Sequence, residues 1–139
     1  MSTIEKRRSP AGPPGFALVM ESDLELRAVI RAGLLLDGHR VQCVSNCAEV
    51  LAWRNRVGPL PEDFVLALGA GDLDPDWETL QVALDDDKVL ARAAVIVLLT
   101  IRNGLTFPAR ARILQKPFAM EELLDLVASD VAAARRLPV

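Results

Sequence analysis

A chain of 139 residues suits one domain with a sizeable core, and a composition 51% hydrophobic and 25% charged excludes a disordered polymer. The net charge of −3 excludes a global pull towards nucleic acid or an anionic membrane. Two cysteines, Cys43 and Cys47, exclude a disulfide framework and, unless His39 joins them, a metal site.

Residues 1–15 are polar, then rich in proline and glycine, and read as a flexible tail before a domain over 16–139. "FALVM" (16–20) is a buried-strand run that stops at Glu21-Ser22-Asp23. Leu26, Val29, Ile30, Gly33 and Leu34 then recur at helical spacing, and Asp37-Gly38 ends that helix. "RVQCV" (40–44) alternates like a second strand, and His39, in the turn entering it, reads as a solvated turn residue. Asn46 with Glu49 three residues later resembles a capping box and opens a helix through Val57. "DFVLAL" (63–68) is a third strand, and the "GAGDLD" that follows reads as a turn.

Asp74 can cap the next helix, with Pro75 in its first position and Trp77, Leu80 and Leu84 along its apolar stripe. Trp53 and Trp77 read as core or rim residues. "AVIVLL" (94–99) and "RILQ" (112–115) are the fourth and fifth strands. The last helix begins near Ala119, with Leu123, Leu124, Val127 and Val131 inward and Glu121 and Glu122 at its positive end. The longest apolar run, residues 93–99, is far too short to span a bilayer, and prolines interrupt the segment after the basic start. A cytoplasmic protein is expected, its cysteines being small reduced thiols rather than a redox pair.

Five apolar strands separated by helices predict an α/β, three-layer sandwich around a five-stranded parallel sheet, in the flavodoxin-like order 2-1-3-4-5. In such sheets chemistry lies at the carboxyl ends of the strands. That rule selects Glu21, Ser22 and Asp23 after the first strand, Leu68 and Gly69 after the third, Thr100 after the fourth and Lys116 after the fifth.

"ALVMESDLELR", "DGHRVQCVSNCAEVL" and "LQKPFAMEELL", in that order and spacing, resemble the receiver (CheY-like) domain of two-component response regulators over residues 16 to about 132. The resemblance implies a phosphoacceptor aspartate ending strand three, two acids ending strand one that help it hold Mg²⁺, and a hydroxyl and a lysine that bind phosphoryl oxygens. It also implies a cis bond between Lys116 and Pro117. Carried over, Glu21 and Ser22 fall at the acidic corner, Leu68 at the acceptor, Thr100 at the hydroxyl and Lys116 at the lysine. These are vestigial phosphorylation-site positions. Leu68 has no carboxylate, and Ser22 replaces an acid. The corner keeps Glu21, with Asp23 as a stand-in, and Ile113 stands where the family has a switching aromatic. Only residues 101–115 separate strand four from Lys116, and they contain Gly104 and Pro108, so the helix between strands four and five is expected to be shortened or absent.

The resemblance, with these departures, implies an atypical receiver in two-component signal transduction. It would be independent of phosphorylation, not an enzyme, without cofactor or metal, and active through a protein partner (a histidine kinase or an output protein), with a homodimer open to it. Two other readings stand beside it. One is an anion- or nucleotide-binding regulatory domain using Thr100, Arg102 and Lys116. The other is a receiver phosphorylated by a non-standard route, for which Asp72 or Asp74 would be the acceptor; Asp63 and His39 lie at the opposite edge. For Lys116 itself, an ion pair with Glu21 or Asp23 is favoured over anion binding, because site-like geometry need not keep a site's chemistry.

Overall fold

The apolar runs form strands, and their alternation decides how the layers pack. The computed structural model describes residues 14–58, 60–61, 64–70, 74–99 and 107–136. In chain order the elements are β1 (Phe16–Met20), α1 (Leu24–Leu36), β2 (Arg40–Val44), α2 (Cys47–Arg56), β3 (Phe64–Ala70), α3 (Trp77–Asp86), a 3₁₀ turn (Leu90–Arg92), β4 (Ala94–Leu99), β5 (Arg112–Gln115) and α4 (Met120–Arg136). The strands are parallel, in the expected order β2-β1-β3-β4-β5.

Successive strand residues point to opposite faces, so one sheet builds two cores. On one face Ala17, Val19, Ala67, Ile96 and Leu98 pack under Ile30 and Leu34 of α1 and Leu123, Leu124 and Val127 of α4. On the other, Leu18, Met20, Leu66, Leu68, Val97 and Leu99 pack under Val50 and Trp53 of α2 and Trp77, Leu80 and Leu84 of α3. Both tryptophans are core residues, as expected. Each fully buried leucine contributes about 1.5–3 kcal/mol.

Helix ends are set by local chemistry. Asp23 caps α1, its Oδ1 accepting from the Leu26 amide at 3.0 Å. At the other end Gly38 takes φ +91°, a region costly for residues with a Cβ. This lets the amides of Gly38 and His39 donate back to Leu35 and Leu34. Asn46 caps α2 by accepting from the Glu49 amide, while Glu49 accepts from both the amide and the hydroxyl of Ser45. These bonds hold the Glu49 carboxyl below its usual range.

Several expectations need correction. β3 runs on through Gly69 and Ala70, because these residues pair with Leu98 and Leu99 of β4; tertiary pairing overrides the turn preference of glycine. α3 begins at Trp77 with Asp76 at its cap position, while the Asp74 carboxylate is divided between the Asp76 amide and the Cys47 amide at the start of α2. Val29 is 54% exposed rather than part of the buried stripe. His39 is not solvated: it is buried, and its Nδ1 accepts from the Gly15 amide at 3.0 Å. The Arg40 amide donates to the Gly15 carbonyl, so residue 15 is bonded to the start of β2. The two cysteines are free thiols on opposite faces, Cys43 beside the α1/α4 core and Cys47 within the other.

Between β4 and β5, residues 107–111 form a turn and no helix; residues 100–106, where the rest of the shortened helix was expected, lie outside the described residues. Phe107 packs edge-on against Trp77, with ring centroids 6.0 Å apart. Arg110 donates to the carbonyls of Leu84, Leu90 and Ala93, tying the end of α3, the 3₁₀ turn and the start of β4 to the segment entering β5.

Candidate functional site

The carboxyl edge of the sheet gathers Glu21, Gly69 and Lys116. Glu21 follows β1 directly, and its amide donates to the Val44 carbonyl at the end of β2. Lys116 follows β5, anchored by its amide on the Leu99 carbonyl at 2.8 Å. The Lys116–Pro117 bond is cis, as the resemblance implied.

The Lys116 ammonium donates to Glu21 Oε1 at 2.6 Å, and the Asp23 amide donates to Oε2 at 2.9 Å. The Glu21 side chain is 3% exposed and that of Lys116 19%, so this pair is largely removed from water. Arg27 donates to the Glu21 carbonyl at 3.0 Å. The ion pair expected for Lys116 is present, and its partner is Glu21.

Gly69 makes room for that pair. A Cβ built on it would stand 2.5 Å from Glu21 Oε1 and 3.0 Å from the Met20 carbonyl oxygen. Sequence reasoning placed Gly69 at this edge without giving it a role. The available signal was a glycine inside a strand, which often marks a close approach of other atoms.

Leu68 is fully buried in the core under α2 and α3. Strand alternation turns it to the face opposite the Gly69 Cβ direction, and so away from the Glu21 carboxylate. Ser22 is exposed, and Asp23 is occupied as the α1 cap. Thr100, Arg102, Asp72 and Asp63 lie outside the described residues. Ile113 is 42% exposed on β5.

Asp74 serves structure. Its Oδ2 accepts from the Cys47 amide at the start of α2, and its Oδ1 from the Asp76 amide just before α3. Burial works against its charge, but these amides outweigh it and hold the carboxyl below its usual range. Burial and the adjacent Asp74 push the Cys47 thiol well up, leaving it a poor nucleophile.

A Mg²⁺ ion needs several oxygen ligands in near-octahedral array. Among the described residues the edge offers one carboxylate paired with Lys116, a neutral serine, a capping aspartate and a leucine. No group of three His, Cys, Asp or Glu side chains suited to a metal occurs among the described residues. The donors among the described residues do not fit the ion.

No protein-family model matches this chain, and no curated protein matches it. Solved structures do. The signal receiver domain of a signal transduction histidine kinase from Syntrophus aciditrophicus superposes with a TM-score of 0.71 at 18% identity, over 89% of this chain and 95% of that one. A response regulator receiver protein from Sinorhizobium medicae WSM419 gives 0.68 at 18% identity, over 87% and 97%. The receiver domain of a sensor histidine kinase from Pseudomonas aeruginosa PAO1, described with a magnesium ion coordinated in its active site cleft, gives 0.65 at 19% identity, over 86% and 98%.

The chain has the receiver fold. At these identities the likeness is one of architecture. At its carboxyl edge this receiver fold carries an ion pair between Glu21 and Lys116 over Gly69, with Leu68 buried at the end of β3.

Proposed function

We propose that this chain is an atypical receiver domain of a two-component signalling pathway, that it accepts no phosphoryl group, and that it acts by binding a protein partner in the cytoplasm. The observation that carries the reading is Leu68, fully buried at the acceptor position among apolar side chains. A leucine has no oxygen to phosphorylate, and this one is closed to solvent. The acidic corner supports the same reading, since Glu21 is bound to Lys116 rather than open to a metal. On this reading the domain catalyses nothing. Its partner is a histidine kinase or an output protein, recognised through the surface of the fold.

The test uses the whole chain with Mg²⁺ and a small phosphodonor, then with a beryllofluoride mimic. The amide spectrum is expected to stay unchanged and the intact mass unshifted. A stable phosphoryl adduct would overturn the proposal, and mapping it to Asp72 would establish the non-standard route instead.

A further inference from the structure

We infer that the outward face of α1 is a docking surface whose occupant is the chain's own amino-terminal segment, residues 1–13, laid back along the helix as a strap. Six of the eight exposed positions on α1 are apolar: Leu24, Ala28, Val29, Ala32, Leu35 and Leu36. Helical spacing gathers them on the side away from the buried Ile30 and Leu34, with Glu25 among them and Arg31 at their rim. Leu24 is 67% exposed and Leu36 70%, and four of the six large apolar side chains exposed among the described residues stand on this one helix. A surface helix ordinarily turns polar side chains outward, and a contiguous apolar patch marks an interaction site.

Three observations select the occupant. The chain enters the fold beside this helix: a Cβ built on Gly38 would stand 3.9 Å from Pro14, and Gly15 is bonded to His39 and Arg40 just past the end of α1. Residues 1–13, which lie outside the described residues, therefore start from the end of α1 that carries Leu35 and Leu36. Their length suffices. Thirteen residues of polyproline-like chain reach about 40 Å, whereas α1, 13 residues long, spans about 20 Å, and the difference covers the step around the helix end. The chemistry matches in the same direction. Pro13, Ala11 and Pro10 come first, towards Leu36 and Leu35; Arg8, Arg7 and Lys6 follow towards Glu25, and Ile4 comes within reach of Leu24.

A second copy suits the face less well, because a strip about 20 Å long and about 10 Å wide falls well short of the ~800 Å² that each partner of a standard interface buries. A tethered segment is held on a smaller area by its high effective concentration. The strap is then an internal competitor, and a partner protein reaches α1 only by displacing it. The inference adds a regulated surface to the proposed function and does not depend on whether the chain accepts a phosphoryl group.

The experiment is NMR of the full chain, reading nuclear Overhauser contacts between residues 4–13 and α1 at two protein concentrations. Wild type should show contacts from Ile4 to Leu24 or Val29 and from Pro10 or Pro13 to Leu35 or Leu36, at intensities independent of concentration. Lys6→Glu/Arg7→Glu/Arg8→Glu should lose the Ile4 contacts and shift the amides around Glu25, and adding Glu25→Lys should restore them. Val29→Ser/Leu36→Ser, at exposed positions, should keep native amide dispersion and lose the proline contacts. Contacts that vanish on dilution would assign the face to a second copy, and no contact at either concentration would leave it to another protein; each result overturns the inference. Contacts indifferent to both sets of substitutions would overturn it too, and failure of the charge exchange to restore them would overturn the direction of the strap. A phosphoryl adduct on the wild type would refute the proposed function and leave these contacts as they are.

Discussion

Lys116 and Arg112 lie four residues apart at the end and start of β5, and each reaches a buried carboxylate on another element. Glu21 receives a donor on each oxygen, Lys116 on one and a backbone amide on the other. Asp130 of α4 receives Arg112 on Oδ1, while its Oδ2 is buried without a partner among the described residues. Burial pushes the Asp130 carboxyl above its ordinary range, and the charge and hydrogen bond of Arg112, itself 42% exposed, offset this only in part. A nearby cation is therefore not enough for a buried carboxylate, because desolvation is compensated only when each oxygen is met.

A carboxylate set among apolar side chains extends the comparison and should give the largest effect. Leu68→Asp would place one inside the apolar α2/α3 core, while Lys116 is already bound to Glu21. Lost burial and an unpaired polar group together should cost about 4 kcal/mol or more in urea unfolding, with no phosphoryl adduct formed. A cost below about 1 kcal/mol would show that position 68 reaches water or a donor.

Removing one member of the satisfied pair comes next. Lys116→Met leaves Glu21 buried with the Asp23 amide alone, and should destabilise by about 3 kcal/mol, as breaking a buried pair does. A loss within about 0.5 kcal/mol would mean that the pair behaves like an exposed surface bridge.

The half-satisfied pair should respond least. Asp130→Asn removes a desolvated charge and leaves Arg112 able to reach solvent, so stability at neutral pH should change by less than about 1 kcal/mol, with a gain allowed. The pH dependence fixes the sign. A carboxyl raised in the folded state binds its proton more tightly there than in the unfolded chain. Stability therefore falls as pH rises from the unfolded value of about 3.9 through the raised folded value, and is flat above it. The difference in unfolding free energy between wild type and Asp130→Asn should thus move against the wild type across that window. A difference independent of pH would show that Asp130 is solvated.

Most of the architecture was legible because it rests on local pattern. β1, β2, β4 and β5 coincide with the apolar or alternating runs in the sequence. What misled was context. "GAGD" reads as a turn until β4 supplies partners for Gly69 and Ala70, and His39 reads as solvated because nothing near it in sequence shows that Gly15 returns to it. The acid–lysine pairing could be proposed from strand ends alone. Its choice of Glu21 over Asp23 could not, because that depends on Asp23 being taken as a helix cap and on the clearance above Gly69.

Asp74 has a mechanical consequence. One carboxylate holds the first amide of α2 and the last amide before α3, so these two helices are hinged on a single side chain. Fraying at either start gives up a bond to that shared carboxylate. That side of the sheet should open as one cooperative unit, its slowest exchanging amides rising and falling together rather than helix by helix.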